Sequence, residues 1–252
     1  PMSWYKWVGT DGVVIGIVLD EFQRLTATLG GDTGEWALRG LLQHHQHLAY
    51  VLAGSEPTLL SAMVGHGRAF YNQLSLLTMG PIDPSHFAQW VDARAATAGV
   101  RAPGLGRACV QLAGPRTRDV VQLARAAFAR GTNPEPSHAP AVAMRLAVMG
   151  YADVVAEQAD PFRALWDGLA RTRQQVLRAL AVGDVGLSTE EARRRFGLRA
   201  SSTVARAVQA LREERVIVPA PDETAGYAFD NPFFRGWVVA NTLPDLGITL
   251  AI

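Results

Sequence analysis

Seven consecutive apolar residues, Val13-Val14-Ile15-Gly16-Ile17-Val18-Leu19, end abruptly in the acid pair Asp20-Glu21. Nothing else in the sequence limits the fold as strongly. The run is far short of the roughly 20 residues that span a bilayer. Its β-branched composition and lack of alternation are those of a strand buried on both faces of a parallel sheet. Such a strand needs helices over the sheet and a parallel neighbour reached by a crossover. Both follow in order. Gly34 to His47 predicts a helix, and Leu48-Ala49-Tyr50-Val51-Leu52-Ala53 predicts a second buried strand closing at Gly54-Ser55. Together they form a βαβ unit. Glu56 to Gly65 predicts a short helix, and Leu74 to Met79 predicts a third strand ended by Gly80-Pro81.

From Asp83 the pattern turns helical. Asp83 or Ser85 can cap a helix to about Ala98, Gly99 to Gly106 is expected as a loop, and Thr117 to Arg130 is strongly helical. The proline-bearing stretch from Gly131 to Pro140 breaks the pattern before a helix from Ala141 to Gln158. Further helices are expected over Pro161 to Ala181, from Thr189 (capped by Ser188) to Phe196, and from Ser201 or Ser202 to Arg215. Val216-Ile217-Val218 and Tyr227-Ala228-Phe229 then predict a hairpin. Three helices and a hairpin are the pattern of a winged helix. The expected fold class is α/β plus all-α: a partial parallel sheet, a helical middle region and a C-terminal winged helix, helix-rich overall. The expected boundaries are 1–82, 83–159 and 160–241, with a tail over 242–252.

Composition narrows the chemistry. The 252 residues carry 24 basic and 23 acidic side chains, a net charge of +1, so bulk attraction to nucleic acid or to an anionic membrane is not implied. One cysteine, Cys109, excludes an internal disulfide framework and a cysteine-clustered zinc site. With no signal-peptide pattern and no membrane-length apolar run, a cytoplasmic location is expected.

Two adjacent acids at the carboxyl end of a buried parallel strand suit nucleotide hydrolysis, where one carboxylate serves the magnesium shell and the other the attacking water. The stretch Ile17-Val18-Leu19-Asp20-Glu21-Phe22-Gln23, then Val51-Leu52-Ala53-Gly54-Ser55, then Gly67-Arg68-Ala69-Phe70-Tyr71 and Leu77-Thr78-Met79-Gly80-Pro81-Ile82, resembles the archaeal-type ATPase branch of the STAND/AAA+ P-loop superfamily. The resemblance implies that the partial parallel sheet is P-loop-type and that the helical region after it is a lid, and it implies roles for Asp20 at magnesium, Glu21 in water activation and Ser55 as the polar sensor of the γ-phosphate. It places Arg68 where an arginine finger occurs in related ATPases, with a surface salt bridge as the alternative. Gly114-Pro115-Arg116-Thr117 is similar to the second-sensor motif, making Arg116 a nucleotide-binding candidate, with a plain helix start as the alternative. Ala200-Ser201-Ser202-Thr203-Val204-Ala205-Arg206 leading to Tyr227-Ala228-Phe229-Asp230-Asn231-Pro232-Phe233-Phe234-Arg235-Gly236-Trp237 resembles the family's C-terminal winged helix.

One count cuts against a self-sufficient enzyme. A phosphate-binding loop needs G-x-x-x-x-G-K-[ST]. Of the 24 basic residues only Lys6 is a lysine, set in Trp4-Tyr5-Lys6-Trp7 with no glycines before it. The chain therefore corresponds either to the part of an ATPase downstream of the first motif or to a protein that has lost that motif. ATP and magnesium belong to the complete architecture, and neither is expected to bind tightly to this chain alone. Without the central strand of the family the sheet keeps an unpaired edge, a site for Ser3 to Val8, for another protein or for a second copy of the chain.

The remaining 23 basic residues are arginines, and Arg194, Arg195, Arg199 and Arg206 gather with Ser201, Ser202 and Thr203 about one helix N-terminus. Duplex DNA contact is one expectation for them. A protein-interaction module on a degenerate ATPase scaffold is the competing one, and no membrane contact is expected. His44, His45 and His47 are expected as a polar helix end rather than a metal site. Cys109 is expected as a small buried hydrophobe, and Phe233, Phe234 and Trp237 as an apolar seal.

Overall fold

A computed structural model of the chain describes residues 2–9, 12–28, 30–45, 47–131, 140–183, 186–220 and 226–249. The expected proline-rich break at 132–139, the hairpin turn at 221–225 and the last residues, 250–252, lie outside the described residues. The chain divides into two compact units, residues 1–80 and 81–252.

In the first unit β1 (Met2–Gly9) pairs antiparallel with β2 (Gly12–Leu19), from Met2↔Leu19 to Gly9↔Gly12. The chain then makes α1 (Phe22–Thr28) and α2 (Asp32–Leu42) before β3 (Leu48–Leu52). β3 pairs parallel to β2, from Ile15↔Leu48 to Leu19↔Leu52. The βαβ crossover is thus present, with β2 between β1 and β3. The segment Ser3 to Val8 lies against β2. The outer edge of β3 pairs with no strand among the described residues. α3 (Pro57–Met63) follows, with a proline in its first turn where no donor is needed. Phe22, Met63, Ala69 and Phe70 form a small core, and the Phe22 and Phe70 rings meet edge-on at 5.7 Å.

The third strand expected over Leu74 to Met79 does not form: residues 74–83 hold no regular structure. Leu77 is 83% exposed and Met79 88%. A strand exists only where a neighbour completes its ladder, and apolar β-forming sequence without one stays unpaired.

The second unit is helical. α4 (Pro84–Thr97) starts where Asp83 accepts from the His86 amide at 2.9 Å, as the capping pattern predicts. α5 (Leu105–Ala113) falls partly in the stretch expected as a loop. Its helix is carried by tertiary contact: Gly106 N donates to Asp92 Oδ1 at 2.8 Å, and a Cβ at Gly106 would overlap the Ala88 backbone of α4. α6 (Thr117–Gly131) and α7 (Pro140–Glu157) follow.

The single helix expected over 161–181 is instead two, α8 (Ala159–Gly168) and α9 (Arg171–Val182). Leu169 and Ala170 are extended, Leu169 turns into the core, and the Trp166 carbonyl accepts from Leu169 N at 3.1 Å and from the Gln174 side-chain amide at 2.9 Å. α10 (Glu190–Phe196) is capped by Thr189 rather than Ser188: the Thr189 hydroxyl accepts from Ala192 N at 3.1 Å. Gly197, at φ 68°, ends it. α11 (Ser201–Glu213) precedes a two-stranded antiparallel hairpin, β4 (Ile217–Pro219) with β5 (Tyr227–Phe229).

α12 (Pro232–Thr242) starts at Asn231, whose side chain accepts from Phe233 N and Phe234 N. It joins the unit together. Phe234 meets Phe162 and Phe229, Trp237 meets Trp166, and Gly236 sits against the Tyr151 ring. Tyr151 donates to the Pro232 carbonyl at 2.5 Å. One apolar cluster runs from Phe87 to Leu243, with each buried aromatic side chain worth roughly 1.5–3 kcal/mol. The expected seal by Phe233, Phe234 and Trp237 is buried as read, and so is Cys109. Burial first, and then the Asp92 charge, push the Cys109 thiol up to about 12. No helix among the described residues is long and apolar enough to cross a membrane.

Candidate functional site

The acid pair sits where the βαβ unit places it, at the carboxyl end of β2 beside the end of β3. The two strand ends are tied by Ala53 N donating to the Leu19 carbonyl at 2.8 Å and Phe22 N to the Ala53 carbonyl at 2.9 Å. This bracing fixes the turn at Asp20-Glu21. Asp20 is exposed, and its Oδ1 accepts from Glu21 N at 2.9 Å. Glu21 has φ 51°, a left-handed conformation that a non-glycine residue adopts at a cost. Such strain marks sites where the side chain matters more than backbone comfort.

The Glu21 carboxylate is held from two sides. Ser55, just past β3, donates its hydroxyl to Oε2 at 3.1 Å. Gln23 donates its side-chain amide to the same oxygen. Gln23 is buried, and a Cβ at Gly54 would overlap its Oε1. Gly54 thus leaves room for the glutamine that orients Glu21. The structure therefore brings together Asp20, Glu21 and Ser55, and adds Gln23. The sequence signal for Gln23 was its place two residues past Glu21, which turns it back toward the strand ends once α1 begins at Phe22.

Arg68 is engaged elsewhere in the first unit. Its guanidinium meets Asp32 at 2.8 Å and Glu35 at 2.7 Å, both on α2. Glu35 is only 2% exposed, and its Oε2 has no hydrogen-bond partner among the described residues. Arg39, also on α2, donates to the Ala69 carbonyl at 2.9 Å, so two arginines fasten α2 to the 65–71 turn. A buried carboxylate beside Arg68 was not foreseen: Glu35 lies 33 residues away in sequence, and only the fold joins them.

In the second unit Arg116, just before α6, forms a two-point pair with Asp230 at the end of the hairpin, Nη1 to Oδ2 at 2.6 Å and Nη2 to Oδ1. That pairing holds the Arg116 pKa above its ordinary value. Around α11, Ser201, Ser202 and Thr203 occupy the first turn. Ser201 accepts from Arg193 at 2.7 Å. Arg206 folds back on the Ser202 carbonyl at 3.4 Å, Arg195 lies over the Phe196 ring, and Arg194 and Arg199 are exposed.

Among the described residues no group of three or more His, Cys, Asp or Glu is placed to hold a metal ion. His45 pairs with the Tyr50 hydroxyl at 2.6 Å.

Asp20, Glu21 and Ser55 offer the carboxylates and hydroxyl that magnesium and a hydrolytic water require, and magnesium commonly takes one or two protein carboxylates with the rest of its shell from water and phosphate. The sequence offers no Gly-x-x-x-x-Gly-Lys-Thr/Ser segment to cradle phosphate, and its one lysine stands at position 6.

The sequence matches no protein-family model and no curated protein. Its fold is similar to that of the Walker-type ATPase PABY2304 of Pyrococcus abyssi, with a TM-score of 0.50 over 88% of this chain at 15% identity. At that identity the likeness is one of fold. The chain spans 62% of the length of that solved structure.

Proposed function

We propose that these 252 residues are the downstream part of an AAA+/STAND-type ATPase, a nucleotide-dependent switch whose C-terminal helices and hairpin form a winged helix. The observation that carries this reading is the arrangement at Glu21: a carboxylate held in a strained turn at a strand's carboxyl end, hydrogen-bonded by a serine from the neighbouring parallel strand. Asp20 would take the magnesium ion, which neutralises phosphate charge when bound. Glu21 would position the attacking water, with Ser55 and Gln23 fixing its orientation. Arg116 is the second-sensor candidate, and Arg68 would serve as a finger only after release from Asp32 and Glu35. The P-loop strand and lysine would come from outside these residues and pair along the open edge of β3. In this reading 83–159 serve as lid and 160–241 as winged helix, and the continuous core between them favours movement as one body.

The test has two arms. Calorimetry of the chain alone with magnesium-ATP should give no binding, and micromolar binding would overturn the claim that the missing lysine is disabling. An in-frame Gly-x-x-x-x-Gly-Lys-Thr/Ser segment upstream in the gene, joined to this chain, should give an ATPase whose Glu21→Gln variant loses roughly 100- to 10,000-fold in rate. An unaltered rate in that variant would remove Glu21 from the chemistry.

A second reading is supported by the exposed Arg194 and Arg199 beside the α11 N-terminus: a winged-helix module that contacts duplex DNA or a protein, on a scaffold without catalysis. Fluorescence anisotropy with duplex DNA should then weaken steeply as salt rises. A flat titration ends the DNA form of that reading.

A further inference from the structure

We propose that the groove along α11 is a binding site for a small amphipathic anion, an apolar body with one carboxylate or sulfonate head. The cavity holds about 380 Å³ and is lined by Leu187, Ser188, Val204, Ala205, Val208 and Tyr227 together with Ser201, Gln209 and Arg212. That volume lies in the range of small-ligand pockets, which combine an apolar floor with a few placed polar groups. Along α11 the lining follows one stripe, Ser201, Ala205, Gln209 and Arg212, about 16 Å long at 1.5 Å per residue.

The charge at the groove selects the head group. The Arg212 guanidinium lies over the Tyr227 ring, 5.7 Å from its centroid, and forms no ion pair among the described residues. At the other end Arg193 is hydrogen-bonded to Ser201. Of the described acids beside Arg212, Glu213 accepts from Gln209 at 2.9 Å and Glu214 pairs with Arg173 at 2.6 Å. A cation stacked on a tyrosine at the end of an apolar trough fits an anionic head there and a hydrocarbon or aromatic body over Val204, Ala205 and Val208. Nucleic acid suits the trough less well, because its floor is apolar and Arg206 is turned back on its own helix. Ser201 also belongs to the candidate DNA face, so an occupied groove would compete with DNA there. This inference needs neither ATP nor the P-loop.

The probe is 8-anilinonaphthalene-1-sulfonate, with dodecanoate as competitor, titrated into the full 252-residue chain. The exposed apolar residues of the first unit also take up the dye, so the reading is the difference between wild type and two groove variants. Ala205 is exposed, which lets Ala205→Trp fill the trough and Ala205→Glu repel the head without disturbing the core. We expect a dodecanoate-displaceable component in wild type that both variants lose. Arg212→Gln should weaken it about tenfold, as loss of one charge-assisted hydrogen bond does. A dye signal identical in wild type and both Ala205 variants would overturn the site, and an unchanged affinity in Arg212→Gln would overturn its anion preference. Displacement by a short DNA duplex but not by dodecanoate would assign the face to nucleic acid and overturn the proposal.

Discussion

Replacing Arg68 by alanine should unfold the first unit while leaving the second intact. The guanidinium meets two acids, and they differ in weight. The Asp32 side chain is 69% exposed, so its pair contributes at most about 1 kcal/mol. The Glu35 side chain is 3% exposed, and losing its partner leaves a buried charge unmatched, which costs about 3–5 kcal/mol. A whole domain is stable by only about 5–15 kcal/mol, and among the described residues the cluster beside this pair is small, Phe22, Met63, Ala69 and Phe70. Hydrogen exchange read by mass spectrometry separates the units: α2 and the 65–71 turn should lose protection in Arg68→Ala, with the amides of α5 to α7 unchanged. The decisive variant is Arg68→Met with Glu35→Met, which removes both charges and should recover most of the loss. If Arg68→Ala stays fully protected, or the double variant is as damaged as the single, the buried-charge argument is wrong.

Other expectations follow from the second unit. Gly236→Leu places a side chain into the Tyr151 ring, which a Cβ would meet at 2.5 Å, and should lower stability by about 1–3 kcal/mol or more by overpacking, seen as a reduced urea midpoint. Cys109 should resist thiol reagents at pH 8 in the native state and react once urea unfolds it. Burial raises the Cys109 thiol and the Tyr151 phenol to about 12 each. The unfolded chain therefore releases these protons first, and stability should fall as pH climbs from about 9 toward 12; a flat profile there, or one unchanged in Cys109→Ala, would contradict it. Asp230→Asn should break the two-point link to Arg116 and lower the melting temperature, and a wild-type melt would show that link to be inert.

The sequence reading was accurate where local chemistry and tertiary need agree. The strand to Leu19, the strand from Leu48, the cap at Asp83 and the short strands at Ile217 and Tyr227 are set by residue type and a nearby partner. It failed where a neighbour decides. Leu74 to Met79 has strand composition but no ladder to join. The helix from Leu105 starts in glycine-rich sequence because Asp92 reaches over from α4. The break at Leu169 is made by an apolar side chain turning inward, with Gln174 closing the gap. The juxtaposition of Asp20, Glu21 and Ser55 was legible because the two apolar runs that precede them pair in parallel and end side by side. Glu35 and Asp230 were not, since each meets its arginine only through the fold.

The left-handed turn at Glu21 bears on any attempt to engineer this chain. Glycine would sit there more comfortably by roughly 1 kcal/mol, so a search for stabilising substitutions would rank Glu21→Gly among its first choices. The same change would delete the carboxylate that Ser55 and Gln23 hold. A sturdier protein obtained that way would keep its scaffold and lose the group on which the proposed chemistry depends.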